Sequence, residues 1–285
     1  MSLLPVPPAE RVRSIVRETA GAAAARALPG GYQRVGRVLI LRLPESLRPH
    51  YPAIGRAWQQ VLGVPTVARH RGAAEGERRL PRVEVIAGAT TETEVLEHGI
   101  RYRFDAARTM FSRGNAAERA RAGTVTRPGE TVVDLFAGIG YFVLPALVVG
   151  RAAQAYAIEE NPASYAYLLE NLLRNRVSDR AVALLGDNRS VRPPVASADR
   201  MFLGYLPSSL PWVPMALGMA RAGATLHVHL VVDARNDRAL AEAAVADAVG
   251  AARGTVEQVL GRRVKAYGPG RSHVVVDALV TPPAA

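Results

Sequence analysis

The chain has no cysteine and only one lysine, Lys265, in 285 residues. The first absence removes disulfides and thiolate chemistry and fits a reducing, cytoplasmic compartment. The second leaves almost all positive charge to arginine. Acidic residues are also few: 25 Asp and Glu stand against 36 Lys and Arg, a formal net charge of +11. Arginine in place of lysine can follow base composition, but the surplus of positive charge points to a polyanionic partner such as nucleic acid, or else to a merely basic surface. No apolar run approaches the roughly 20 residues that a membrane helix needs. The opening "MSLLPVPPAERVRSIV" lacks the basic start and long apolar core of a secretory signal. No membrane association is expected.

With 49% hydrophobic residues, the chain can bury one large core or two modest ones. Its first part reads as a small mixed α/β unit. "AGAAAARALPGG" (Ala20–Gly31) is a helix running into a turn, "RVLILRLP" (Arg37–Pro44) alternates as a strand, and "HYPAIGRAWQQVLG" is a helix with Ile54, Trp58, Val61 and Leu62 on one face. "ARHRGAAEGERRLPR" (Ala68–Arg82) reads as a charged loop, "RVEVIAG" as a strand, and "TETEVLEHGIRYRFD" as two strands turning at His98–Gly99. The expected division is 1–104 for this N-terminal domain and 105–285 for a second one.

From Glu130 strands alternate with helices. "TVVDLFA", "AQAYAIE", "AVALLGD", "RMFLGY" and "TLHVHLVV" are the strands; "YFVLPALVV", "PASYAYLLENLLRN", "PWVPMALGMAR" and "ALAEAAVADAVGAAR" lie between or after them. That alternation predicts a doubly wound parallel sheet. "VEQVLGRRVKAYG" and "SHVVVDALV" follow without an intervening helix, which predicts an antiparallel hairpin at one edge. The fold class is therefore α/β, a class I methyltransferase-type (Rossmann-like) sheet preceded by a smaller α/β domain.

Chemistry concentrates at the strand ends. "DLFAGIGYF" follows the first strand with Asp134, Gly138 and Gly140, a turn in which a ligand can approach the backbone. The next strand ends at Glu159, at the distance where an acid accepts hydrogen bonds from ribose hydroxyls. The third ends at Asp187 and Asn188, a pair able to bond an adenine amino group and ring nitrogen. Any one of these is ordinarily a cap or a loop residue. As a series on successive strands they point to S-adenosylmethionine, bound as a group donor.

The stretch from Gly99 to Gly140, "GIRYRFDAARTMFSRGNAAERARAGTVTRPGETVVDLFAGIG", resembles the tRNA guanosine-37 modification enzymes, and the resemblance extends from about Val35 to Val280. Two branches share the signature: N1-methyltransferases of guanosine 37, and the wybutosine-pathway transferases that move the 3-amino-3-carboxypropyl arm of S-adenosylmethionine to a tricyclic base at that position. The methyltransferases carry Asn-Pro-Pro or Asn-Leu-Pro at the fourth strand; here "RMFLGYLPSS" has no Asn and resembles the second branch, as does the His-x-His of "LHVHLVV". The resemblance implies Ser112, Arg119, Glu159, Asp187 and Asn188 as the donor-contacting set. Arg119 is the candidate for gripping the methionine carboxylate, with Glu118 orienting it, and Asp134 braces the bend. No general base is implied, because positioning carries the reaction.

The acceptor is read from arginines. Those between Arg101 and Arg121, with Arg69, Arg71, Arg78, Arg79 and Arg82 in the loop, suit tRNA phosphates or a solvated surface. Arg78, Arg79, Arg113 and Tyr205 are the acceptor candidates, Tyr205 as a ring for a flipped base or as sheet packing. His227 and His229 share one strand face and are expected to pack at a strand end, since no third metal ligand is evident. The expected protein is a cytoplasmic monomer without metal that acts on tRNA. The alternatives are an aminocarboxypropyl transferase for a small molecule, a tRNA guanosine-37 N1-methyltransferase, and a non-catalytic nucleic-acid binder.

Overall fold

A proline at the first helical position sacrifices no hydrogen bond, and Pro8 opens helix α1 (Pro8–Ala20) in that way. The sequence reading assigned no helix here; Val12 and Val16, one turn apart, are its two buried residues. Helix α2 (Ala22–Ala27) follows. The computed structural model describes residues 6–72, 81–195 and 197–284. The chain forms two units: one takes the residues through Leu96 together with Tyr102–Phe111, the other Glu97–Arg101 and Ser112–Ala285.

In the first unit, strands β1 (Tyr32–Val35) and β2 (Val38–Leu41) form a hairpin. Helix α3 (Tyr51–Leu62) then crosses over to β3 (Thr66–His70), which lies parallel to β2, and β4 (Val83–Ala87) closes the four-stranded sheet in the order β1-β2-β3-β4. Ile54 and Trp58 of α3 are fully buried, while Val61 and Leu62 are partly so. The expected loop over Ala68–Arg82 needs correction at its start. Ala68, Arg69 and His70 belong to β3, and Arg69 is buried against Glu45 and Glu84 with its guanidinium over the Tyr51 ring. Arg78 and Arg79 lie outside the described residues. Strands β5 (Glu92–Glu97) and β6 (Ile100–Asp105) pair across the turn at His98 and Gly99, both with positive φ.

The first helix of the second unit is α4 (Ala116–Val125). The alternation β7 (Thr131–Asp134), α5 (Val143–Val148), β8 (Gln154–Glu159), α6 (Pro162–Arg174), β9 (Ala181–Leu185), β10 (Ala198–Leu203), α7 (Val213–Leu217), β11 (Ala220–Asp233), α8 (Asp237–Ala251) follows the expected pattern. Helix α7 is shorter than its apolar run suggests because Gly218 ends it and Ala220 already starts β11. The long strands β12 (Thr255–Gly268) and β13 (Arg271–Thr281) form the terminal hairpin.

The sheet order is β12-β13-β11-β10-β7-β8-β9. Strands β9, β8, β7, β10 and β11 are parallel, and β13 runs antiparallel between β11 and β12. Val132, Val133, Met201, Phe202 and Leu203 are buried, the near-continuous apolar run of strands covered on both faces. After β7 the chain builds β8 and β9 on one side, then returns to place β10 on the other. The order thus reverses beside β7, and a crevice opens there at the carboxyl ends of the strands.

Candidate functional site

The glycine bend occupies that crevice. Ala137 donates its N–H to the carbonyl of Ile158 (2.9 Å), which ties the bend to β8. Gly138 has φ 57°, and a Cβ there would lie 2.3 Å from Cε2 of Tyr141. Only glycine allows the Tyr141 ring to lie over the backbone at that point. The amide of Gly138 donates to Oε2 of Glu159 (2.8 Å), and that of Asn161 donates to Oε1 (2.7 Å). Asn161 caps α6 by accepting from the Ala163 amide. The Glu159 carboxylate is thereby fixed at the strand end, and an ionised carboxylate retains acceptor capacity beyond two bonds.

Asp134 is fully buried below the bend. Its Oδ1 accepts from the Phe136 amide (3.1 Å), and Oδ2 has no hydrogen-bond partner. Burial pushes its carboxyl up to about 7, assisted by the negative charge of Glu159 and opposed by the amides of Phe136 and Val143. The folded protein therefore holds this proton over a range in which the unfolded chain, at about 4, has lost it. The associated stability is complete below about pH 4 and is lost as pH rises through about 7. Urea titrations of the wild type and Asp134→Asn at pH 5 and pH 8 should show it. The wild type should lose stability relative to the variant by up to about 1.4 kcal/mol per pH unit within that window, and a constant difference would exclude the shift.

At the third strand end the two candidates differ. Asp187 is partly exposed and accepts from the amide and guanidinium of Arg189. The Arg189 hydrogen bonds hold its carboxyl below the usual range. Asn188 is buried, its Nδ2 donating to the Leu135 carbonyl and its Oδ1 accepting from Nε1 of Trp212, both at 2.7 Å. Each end of its amide thus has a protein partner, and its side chain ties the bend to Trp212. Trp212 closes a trio of rings, its centroid 5.0 Å from Phe136 and 5.2 Å from Tyr205, while Tyr205 stacks on Phe136 at 5.2 Å.

The segment before α4 departs from the sequence reading. Arg119 is buried and its fork is engaged: Nε and one terminal nitrogen grip the Glu97 carboxylate at 2.6 and 2.8 Å, and the other donates to the Ser112 carbonyl at 2.9 Å. Glu118 does not orient Arg119; it pairs with Arg121. The Ser112 hydroxyl accepts from Nζ of Lys265 (2.9 Å), which reaches across from β12. Arg113, beside it, is exposed. Burial raises the pKa of the Tyr141 hydroxyl, with the Arg119 charge acting to lower it and the Glu159 charge to raise it.

His227 and His229 are buried within β11 rather than packed at its end. His227 lies between Arg200 (2.8 Å) and Asp277 (2.6 Å). His229 meets a third histidine, His273, at 2.9 Å. Burial depresses both His227 and His229, so each is neutral near pH 7. Among the described residues no group of three or more His, Cys, Asp or Glu is arranged to hold a metal, and no helix is long and apolar enough to cross a membrane.

Sequence reasoning missed Tyr141, Trp212 and Lys265. Only Lys265 carried a signal, as the one lysine in an arginine-rich chain. The assembled groups are two carboxylates at successive strand ends and an amide-lined bend between the strands. That donor set suits a ligand with vicinal hydroxyls and an amino-bearing heterocycle.

Comparison with known proteins agrees with this arrangement. The TRM5/TYW2 methyltransferase domain matches residues 93–253, and the TYW2 N-terminal domain matches residues 12–91. Over 273 residues the chain is 37% identical to the tRNA(Phe) (4-demethylwyosine(37)-C(7)) aminocarboxypropyltransferase of Pyrococcus horikoshii, covering 95% of this chain and 96% of that one. P. horikoshii TYW2, solved in complex with MeSAdo, superposes with a TM-score of 0.84 at 35% identity over 96% of this chain and 99% of the other. M. jannaschii TYW2, solved with AdoMet, gives 0.71 at 28% identity over 88% and 100%. With both parts of its length matched in this way, the chain belongs to the TRM5/TYW2 family, on its TYW2 side.

Proposed function

We propose that the protein transfers the 3-amino-3-carboxypropyl group of S-adenosylmethionine to a demethylwyosine-type base at position 37 of tRNA and releases 5′-methylthioadenosine. The observation that carries this reading is the 37% identity, across nearly the whole of both chains, to the P. horikoshii enzyme of that activity. The strand-four turn supports it: Gly204 and Tyr205 stand where the methyltransferase branch carries Asn.

The sulfonium donor supplies an activated carbon on each of its three arms. In the proposed transfer a carbon of the base bonds to the arm's γ-carbon, the C–S electrons go to sulfur, which leaves as a neutral thioether, and the base loses its proton to solvent. The enzyme selects the arm by orientation. In this reading Glu159 takes the ribose hydroxyls and Asp187 the adenine amino group, with Asn188 setting the wall behind it. Asp134, Gly138 and Gly140 shape the bend, and Ser112 and Arg119 govern the methionine arm. Tyr205, within its ring trio, faces the base. Residues 1–104, with Arg78, Arg79 and Arg113, are assigned to tRNA phosphates, and 105–285 to the donor. In this reading the protein acts as a cytoplasmic monomer.

The test is product analysis. Incubation with S-adenosylmethionine and tRNA bearing 4-demethylwyosine should release 5′-methylthioadenosine and add one aminocarboxypropyl mass to the tRNA. S-adenosylhomocysteine with a single methyl on the tRNA would identify the methyltransferase instead. Thioether release without any change in the tRNA would point to a small-molecule acceptor.

A further inference from the structure

Strand β11 runs on past the end of its parallel neighbour. Leu203, the last residue of β10, lies opposite Val228, and β11 continues to Asp233. At about 3.3 Å per residue the extension reaches roughly 16 Å beyond the carboxyl end of β10. The terminal hairpin goes with it: Asp233 pairs with Arg271 at the start of β13, and Arg271 with Gly268 at the end of β12. The turn Gly268-Pro269-Gly270 therefore stands beyond the edge on which the crevice opens. A Cβ at Gly268 or Gly270 would meet nothing within 4 Å. The Gly270 carbonyl accepts from the Ala234 amide (3.0 Å), which fixes the turn to the end of β11. The segment after Tyr205 follows the same wall: the Pro207 carbonyl accepts from the Val231 amide (2.8 Å), and Ser208 bridges to Leu230. On this tip Tyr267 is the extra residue of a bulge, between the pairs Ala266–Ser272 and Gly268–Arg271. Bulges re-aim side chains and gather beside active sites; this one leaves the tyrosine 40% exposed. Arg271 is exposed and donates to the Val231 carbonyl (3.2 Å). Asp233, the carboxylate opposite it, is held through both oxygens by Arg235, each at 3.1 Å. Two guanidiniums thus meet one carboxylate, and the tip keeps a positive charge.

We infer that the tip of the terminal hairpin binds a single-stranded nucleotide that flanks the target base, with Tyr267 stacked on its base and Arg271 on its phosphate. The inference rests on the reading that the acceptor is tRNA, and it adds a contact outside the crevice. An exposed ring beside an arginine is the pairing that holds single-stranded nucleic acid: every base has a face to stack, and every nucleotide a phosphate to hold. Position decides which nucleotide it is. In the sheet order three strand spacings separate β10 from β12, about 14 Å at 4.8 Å each. The nucleotide on Tyr267 is therefore a neighbour of the reacting base in the same loop and lies clear of the donor. The contact contributes to holding the acceptor and takes no part in the displacement.

The test measures dissociation constants across a salt series for tRNA bearing 4-demethylwyosine and for its isolated anticodon stem-loop. The proteins are the wild type, Tyr267→Ala, Tyr267→Phe and Arg271→Ala. Tyr267→Ala should weaken both RNAs about tenfold, the scale of one base–aromatic stack, at an unchanged salt slope. Tyr267→Phe keeps the ring and should bind as the wild type does. Arg271→Ala should lower the log–log salt slope by about 1. In all three variants kcat at saturating tRNA and the calorimetric affinity for S-adenosylmethionine should hold. Wild-type RNA affinity in Tyr267→Ala, or equal losses in Tyr267→Ala and Tyr267→Phe, would overturn the inference and leave tRNA as the acceptor. Losses seen with whole tRNA and absent with the stem-loop would overturn it in the same way. Donor affinity lost together with RNA affinity in Tyr267→Ala would make the ring a structural part and overturn it too. A wild type without salt-dependent retention of either RNA would overturn the tRNA reading itself.

Discussion

Replacing Arg200 with methionine should lower the unfolding free energy by about 3–5 kcal/mol, the cost of leaving a buried charge without its partner. Arg200 lies in β10 with its side chain 7% exposed, and it grips the 13%-exposed Glu130 carboxylate through Nε (2.7 Å) and a terminal nitrogen (2.9 Å). Its remaining nitrogen reaches Nε2 of His227 (2.8 Å). A guanidinium can only donate, so Nε2 accepts and the imidazole proton sits on Nδ1, facing Oδ1 of Asp277 at 2.6 Å. Asp277 also receives Arg121 and Arg262. Burial alone would raise its carboxyl, but the His227 hydrogen bond and the two arginines hold it well below the usual range. Methionine fills the volume of the arginine stem yet strands Glu130 and empties the acceptor side of His227. Urea unfolding at pH 8 measures the loss. At pH 5.5 the deficit should shrink, because His227 freed of Arg200 can take a second proton and remain paired to Asp277. A deficit under about 1 kcal/mol at both pH values would put the pair in the class of exposed salt bridges.

Nothing in the sequence around Arg200 announces this network. "RMFLGYLPSS" draws attention to a strand and to the Asn it lacks, while the partners of Arg200 lie 70 residues before it and 27 after it. The alternation of β7 to α8 was legible because each element declares itself locally: buried parallel strands are apolar throughout, helices are periodic, and glycine or proline divides them. The bend was legible for the same reason, since Asp134, Gly138 and Glu159 follow from strand ends and spacing. The partners in the site were not. The resemblance offered Arg119 to the ligand with Glu118 beside it to orient it, but the fold turns Glu118 to Arg121 and brings up Glu97 from 22 positions away. Likewise, Asn188 read as a ligand group, and only the fold reveals the Leu135 carbonyl and the Trp212 indole that hold its amide. Ala68–His70 read as loop because His70 and the flanking arginines are polar. In the sheet the polarity of Arg69 is absorbed by Glu45 and Glu84.

Arg119→Lys should reduce the rate of side-arm transfer by about 100-fold, while donor affinity changes only a few-fold. The substitution keeps one positive charge beside Glu97, so the partly buried carboxylate is not stranded. What it loses is the planar fork. A lysine head is a point: it cannot span both Glu97 oxygens and the Ser112 carbonyl, which Arg119 reaches at 2.6, 2.8 and 2.9 Å. The backbone at Ser112 then loses its brace and shifts relative to the glycine bend, to which the proposed reading gives the adenosine end. Binding tolerates such a shift because the contacts persist. In-line displacement does not, since a misplacement near 1 Å costs about 100-fold. Single-turnover rates with saturating donor, set beside calorimetric affinities, separate the two effects. Glu97→Gln should give the same pattern, because it loosens the same brace. Equal losses of affinity and rate in Arg119→Lys, with Glu97→Gln silent, would instead make Arg119 a direct donor contact and remove its role as a brace.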